Sequence, residues 1–252
     1  MSMSLRVQAI RWEARRILSY ELRLPEGGEL PDFTAGAHID LSLPNGMVRS
    51  YSLLNSQLDR HRYIIAVQND RASRGGSKWI HENLRVGHVM QVSEPRNNFR
   101  LSEDADASVF IAGGIGITPI LSMIERLNAI GKQWQLIYCT RKRTDTAFLE
   151  YLHQMPQVHF NFDEEPGGAI LDIVSVVKSL HPDAHIYCCG PSPMLTVFET
   201  ATSDLGHDRV HIEYFTAQAA PVTQGGFKVV LAKSGREFVI PQGKTILETL
   251  LE

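Results

Sequence analysis

The chain has 252 residues, 43% of them hydrophobic and 21% charged, a balance that accommodates roughly two globular domains. Its formal net charge of -3 gives no electrostatic reason to expect nucleic acid or an anionic membrane as the main partner. With no leader-like N-terminus and no apolar run of about 18 residues, a cytoplasmic, monomeric protein is the expectation.

From Leu5 to about Ser93 the chain reads as short strands separated by turn clusters. The predicted strands are Leu5–Trp12, Ser19–Leu24, His38–Leu43, Val48–Leu54, Arg62–Gln68 and Val89–Val92, with Pro25-Glu-Gly-Gly, Pro44-Asn-Gly and Gly75-Gly76 as punctuation. This spacing predicts an antiparallel β-barrel interrupted by one helix, Ser77–Leu84, for which Ser77 is the expected cap.

After Asp104 the period changes. Apolar strands at Val109–Ala112, Gln135–Cys139, Val158–Phe162, His185–Cys189 and Val210–Tyr214 alternate with helical stretches at 118–130, 145–154, 169–180 and 192–205. The alternation predicts a doubly wound parallel sheet of strand order 3-2-1-4-5. A polar joint at 101–107 and a second at Ala217–Gly226 divide the chain into 1–104, 105–220 and 221–252. In the last part, two strands flank Lys233-Ser234-Gly235, and GKTILETLLE starts a helix. A hairpin and two helical turns bury too little apolar area to stand alone.

Two glycine turns carry the clearest chemistry. Ala112-Gly-Gly-Ile-Gly-Ile-Thr-Pro119 joins the first parallel strand to its helix, where backbone N–H groups and the helix dipole suit a pyrophosphate. Cys188-Cys-Gly-Pro-Ser-Pro-Met194 follows the fourth parallel strand, which in the predicted order neighbours the first, so both turns line one crevice. Cys189 reads on its own as a small buried hydrophobe, since no activating base or metal stands near it in sequence. Neither a disulfide framework nor a metal site is expected, because the three cysteines form no C-x-x-C and the ten histidines show no ligand spacing. In the barrel, Arg49 supplies a fork for phosphate, Tyr51 a flat face, and Ser50 and Ser52 hydroxyls. Ser73-Arg74-Gly75-Gly76-Ser77 makes a second anion-binding turn.

In order, RSYSL, SRGGS, EPRNNF, GGIGITP, YCTR with TAFLEYL, YCCGP and HIEYF resemble the phthalate dioxygenase reductase family of the ferredoxin-reductase superfamily, over Leu5 to Glu252. The resemblance implies FMN on the barrel, with Arg49 and Arg74, Gly75, Gly76 and Ser77 on its phosphate, Tyr51 against the isoalloxazine and Ser52 near its reactive nitrogen. It implies a nicotinamide site built by Gly113, Gly114, Gly116, Thr118, Cys189, Gly190 and Pro191, with Phe215 close to the flavin and Met194 and Glu213 as further members. Ser50, Val67, Pro119, Thr140 and Arg141 complete the candidate cofactor contacts. Ser52, Thr118, Cys189 and Phe215 are the candidate catalytic residues.

The implied reaction is hydride transfer from NADH to FMN, then single-electron export through a [2Fe-2S] cluster to a Rieske-type oxygenase. The family's third domain is a plant-type ferredoxin that opens with a hairpin and a helix, so Phe227–Glu252 is expected to be its opening fragment in a truncated chain, the cluster belonging to a full-length form. Cofactor choice draws on two opposed readings: Arg141, Lys142 and Arg143 alone lean to NADPH, whereas the resemblance implies NADH. FAD in place of FMN remains open, as do a free-standing flavin or ferric reductase and a non-catalytic flavin-binding electron-transfer scaffold.

Overall fold

Alternation along the first ninety residues produces six antiparallel strands in the computed structural model, which describes residues 2–44, 46–70, 73–215 and 225–251. These are β1 (Ser2–Ala14), β2 (Ile17–Arg23), β3 (His38–Ser42), β4 (Val48–Ser52), β5 (Tyr63–Gln68) and β6 (Val89–Ser93), in spatial order β4-β3-β6-β1-β2-β5. Leu5, Val7, Tyr20, Leu22, Ile39, Leu41, Ile65 and Val92 point into a common core, and burying that face curls the sheet. The two edges join just past β4. There the Leu54 amide donates to the Ile64 carbonyl at 3.0 Å, and the Asn55 side chain donates to the Arg62 carbonyl at 3.0 Å and accepts from the Ile64 amide at 2.9 Å. A barrel therefore closes through Leu54 and Asn55 without a continuous ladder.

The helix α1 (Gly76–Asn83) buries Ile80 in this core. Its N-cap is Gly75, in the left-handed region at φ 100°, and no side chain caps it. The expectation that Ser77 caps is thus corrected. Ser77 lies inside the first turn and donates to Ser73 at 2.9 Å, and Ser73 also accepts from the Gly75 amide at 3.1 Å.

Strands β7 (Ala107–Gly113), β8 (Gln133–Thr140), β9 (Val158–Phe162), β10 (His185–Cys189) and β11 (Val210–Glu213) form a parallel sheet of order β11-β10-β7-β8-β9. Counted in order of appearance, that is the predicted 3-2-1-4-5. Phe110 and Ala112 pack beneath α2 (Ile117–Ala129), while Val109 and Ile111 pack on the opposite face with α4 (Ile173–Lys178) and α5 (Ser192–Ala201). Both faces are covered, as a parallel sheet requires. The predicted helix at 145–154 shrinks to α3 (Leu149–Leu152), because Phe148 takes φ 58° and interrupts it. The helix predicted at 169–180 starts only at Ile173, where Asp172 caps it by accepting from the Ser175 amide at 3.1 Å.

Two compact units result, Met1–Phe215 and Thr216–Glu252. Within the first, the Gly36 amide donates to Ser122 Oγ at 3.1 Å, and Arg15 pairs with Asp145 at 3.0 Å. Ala14, Ile17, Leu54 and Ala66 of the barrel also cluster with Ile115, Ala147 and Phe148. The second unit pairs β12 (Phe227–Val230) with β13 (Glu237–Ile240) around Gly235 at φ 66°. It then starts α6 (Ile246–Leu251) with a capping box, in which the Thr245 amide donates to Glu248 at 2.7 Å and the Glu248 amide to Thr245 Oγ1 at 3.2 Å. Of the joint expected at 217–226, residues 217–224 lie outside the described residues. Among the described residues, no helix is long and apolar enough to cross a membrane, and no three His, Cys, Asp or Glu side chains group to hold a metal ion.

Candidate active site

Strand β4 presents its side chains in two environments. Arg49 and Tyr51 are half-buried, Ser50 is exposed and Ser52 is buried. The Ser50 hydroxyl is engaged, donating to Asp40 on β3 at 2.7 Å. Burial works against the Asp40 carboxylate, but hydrogen bonds from Ser50 and Arg96 outweigh it and hold its pKa below the ordinary value. Ser52 Oγ is buried with no hydrogen-bond partner among the described residues. Such a hydroxyl costs free energy unless something else bonds it, which fits a ligand heteroatom. Tyr51 leans on the barrel core, and burial pushes its hydroxyl pKa far above the ordinary value.

The phosphate end is built from close packing. A Cβ on Gly76 would sit 2.5 Å from Arg49 Nε, so glycine lets the guanidinium lie directly over the start of α1. The first turn of α1 holds no acidic residue, and among the described residues no carboxylate pairs with Arg49. A guanidinium and the positive end of a helix dipole repel each other unless an anion lies between them, so the arrangement fits a phosphate. Arg74 is exposed beside it. The Val67 side chain is fully buried in the barrel core and its carbonyl accepts from His81 Nε2 at 2.8 Å.

The two glycine turns touch. A Cβ on Gly113 would lie 2.6 Å from Pro191 and 2.9 Å from Met194 Sδ; one on Gly116, 2.2 Å from the Cys189 carbonyl; one on Gly190, 2.7 Å from Met194 Sδ. These glycines let one turn pack on the other. Gly114 differs, with φ 54° and nothing within 4 Å of its Cβ position, leaving its backbone open to a ligand. Thr118 Oγ1 donates to the Ile115 carbonyl at 3.0 Å, and Pro119 is buried, so both shape the turn. Ile115 and Leu54, two residues past Ser52, both pack on the cluster of Ala14, Ile17, Ala66 and Ala147, and this places the glycine turn near the end of β4. At the end of β8, Thr140 is buried and bonded to Thr146 at 2.7 Å, and Arg141, just past it, is exposed.

Cys189 is fully buried, and desolvation, then Glu213 and Cys188, push its thiol pKa well above 9.0. A thiol so buried stays protonated and packs as a small apolar group. Glu213 stands beside it in register across β10 and β11, with Oε2 buried and unpartnered among the described residues. Phe215 follows, 46% exposed. Burial raises the Glu213 pKa from 4.5 to about 7. The folded state then holds this proton more tightly than the unfolded chain, so stability falls as pH rises from the unfolded pKa through the folded one, and the deficit persists above it. Glu213→Gln is expected to raise stability by about 3 kcal/mol at pH 8 and by almost nothing at pH 4, read as the melting-temperature difference from the parent. An equal difference at both values would contradict this assignment.

Some contributors were not visible in the sequence. Asp40 reaches Ser50 only through strand pairing, and Leu54 and Ile115 meet one cluster from distant parts of the chain; neither has a local signal. Ser73 has a weak one, a serine two residues before a glycine turn.

Comparison with known proteins bears on this geometry. The family described as "Oxidoreductase NAD-binding domain" matches residues 110–200, from β7 through α5. The phenoxybenzoate dioxygenase subunit beta of Ectopseudomonas oleovorans is 50% identical over 248 residues, covering 98% of this chain and 77% of that protein. Phthalate dioxygenase reductase of Burkholderia cepacia is 39% identical, covering 94% of this chain and 75% of that one. A crystal structure described as phthalate dioxygenase reductase, modular for electron transfer from pyridine nucleotides to [2Fe-2S], superposes with TM-score 0.81 at 37% identity, covering 99% of this chain and 79% of that one. With a barrel joined to a 3-2-1-4-5 parallel sheet and this extent of identity, the chain belongs to the phthalate dioxygenase reductase family of oxidoreductases.

Proposed function

We propose that the protein is the reductase component of an oxygenase system, which takes hydride from NADH onto FMN and passes electrons singly through a [2Fe-2S] centre to a Rieske-type oxygenase. The observation that carries this reading is the shared cluster of Ala14, Ile17, Ala66 and Ala147, on which pack both Ile115, inside the nucleotide-type glycine turn, and Leu54, two residues past the β4 strand that holds Arg49, Tyr51 and Ser52. It sets a phosphate loop of one fold beside the candidate flavin strand of the other.

The flavin, when bound, supplies the conversion of a two-electron hydride transfer into one-electron steps. The chain's own residues bind and orient. Arg49, Arg74 and the open N–H groups of α1 hold the FMN phosphate, and Tyr51 backs the ring. The orphan hydroxyl of Ser52 donates to a ring heteroatom. Gly114 admits the nucleotide pyrophosphate, with Gly113, Gly116, Gly190, Pro191 and Met194 fixing the crevice and Thr118, Pro119 and Cys189 its walls. Phe215, half exposed, is the lid that excludes water. Residues 1–104 and 105–220 are read as the FMN and NADH domains, and 221–252 as the opening of a ferredoxin-type domain.

The test is an anaerobic absorption spectrum of the FMN-loaded chain before and after one equivalent of NADH. Rapid bleaching of the flavin band is expected. A bound flavin that stays oxidised would favour a scaffold without hydride transfer, and failure to bind flavin would remove the assignment of the barrel.

A further inference from the structure

The loop after β8 carries three consecutive cations, Arg141, Lys142 and Arg143, and the loop after β9 carries three consecutive carboxylates, Asp163, Glu164 and Glu165. Backbone bonds zip the two loops together. The Asp163 amide donates to the Thr140 carbonyl at 3.2 Å, and the Glu164 amide to the Arg141 carbonyl at 3.0 Å. The Arg143 amide donates to Glu165 Oε1 at 2.8 Å. Side chains follow the same register. Arg141 lies 3.4 Å and Lys142 4.0 Å from Glu164, and Arg143 lies 3.3 Å from Glu165. The Arg143 guanidinium also sits 4.5 Å from the centre of the Phe162 ring. Every cation of the loop therefore has a carboxylate within reach; of the two other acids, Asp145 is held by Arg15 at 3.0 Å and Asp163 has a buried Oδ1 with no hydrogen-bond partner among the described residues.

Position gives the pairing its meaning. The end of the second parallel strand is where a doubly wound fold meets the 2′ position of the adenosine ribose, and unpaired arginines there accommodate a 2′-phosphate. We infer that Glu164 and Glu165 neutralise this basic loop and thereby make the protein select NADH over NADPH, an inference that rests on the nicotinamide site proposed above. Exposed ion pairs contribute little to stability, so the glutamates are not explained as props of the fold. Their effect on a ligand is larger. A 2′-phosphate dianion would have to take cations from their carboxylates and lie close to both acids, whereas an unphosphorylated ribose meets neither cost.

The test uses 2′,5′-ADP and 5′-AMP as probes, titrated calorimetrically into the chain and into a Glu164→Gln/Glu165→Gln variant. Glutamine removes each charge but keeps the acceptor that bonds the Arg143 amide. The parent is expected to prefer 5′-AMP. The variant is expected to bind 2′,5′-ADP at least about tenfold more tightly, a gain that shrinks in about 0.5 M salt, with 5′-AMP affinity changed less than about twofold. The ratio of kcat/KM for NADPH to that for NADH should rise in parallel. Unchanged 2′,5′-ADP affinity in the variant, or a parent that already prefers 2′,5′-ADP, would overturn the inference while leaving the nicotinamide site in place. Binding of neither probe to either protein would overturn the nicotinamide site itself, and the inference with it.

Discussion

Replacing Arg49 by alanine is expected to raise the dissociation constant for FMN at least about 100-fold while leaving the barrel folded. Among the described residues the guanidinium donates to the Val48 carbonyl at 2.8 Å and, weakly, to Met47 Sδ at 3.2 Å, so its removal costs the fold little. Against a phosphate it would make two charge-assisted bonds, each contributing about 1.5–3 kcal/mol. Riboflavin, which has no phosphate, separates this role from a general disturbance: its affinity should be the same in the parent and in Arg49→Ala. Gly76→Ala should reproduce part of the effect from the other side, because its new Cβ would stand 2.5 Å from Arg49 Nε and push the side chain off the helix start. FMN binding that survives Arg49→Ala unchanged would place the phosphate elsewhere.

The parts of the molecule that could be read in the sequence are those with local signals. The switch from period two to strand-helix alternation near Asp104 locates both sheets, because each periodicity reflects which faces a strand or helix must bury. Motif order then leads to the family, and with it to Arg49, Tyr51 and Ser52 on one strand. Errors arose where tertiary packing overrode a local rule. Ser77 has the residue type of a cap, but Gly75, two residues earlier, takes the left-handed conformation and Ser73 collects the hydrogen bonds instead. TAFLEYL has helical spacing, yet Phe148 adopts φ 58° so that it can join the cluster of Ile115, Leu54 and Ala147, and the helix survives only from Leu149. The basic run Arg141-Lys142-Arg143 could not be interpreted alone. Its partners lie some twenty residues downstream and meet it only through the parallel pairing of β8 with β9.

The glycines of the nucleotide turn make opposite predictions although they are two residues apart. Gly116→Ala is expected to destabilise residues 1–215 by about 3 kcal/mol and to lower the melting temperature by about 10 °C. Its Cβ would lie 2.2 Å from the Cys189 carbonyl oxygen and 2.9 Å from the Gly190 amide nitrogen. Both are backbone atoms at the end of a central strand, and relief requires β10 to move away from β7, to which it is paired over five residues from His185 to Cys189. Gly114→Ala meets no atom within 4 Å and suffers only the left-handed φ of 54°, a cost of about 1 kcal/mol. Its methyl group would instead stand where the backbone is open, so nucleotide affinity should fall while melting changes little. Melting curves and 5′-AMP titrations on the two variants decide the matter. A Gly116→Ala protein that melts with the parent would mean the two turns are not packed as tightly as described, and the crevice between them would lose its rigid wall. A Gly114→Ala protein that binds 5′-AMP as the parent does would move the pyrophosphate away from this loop, because no other open glycine lies in either turn.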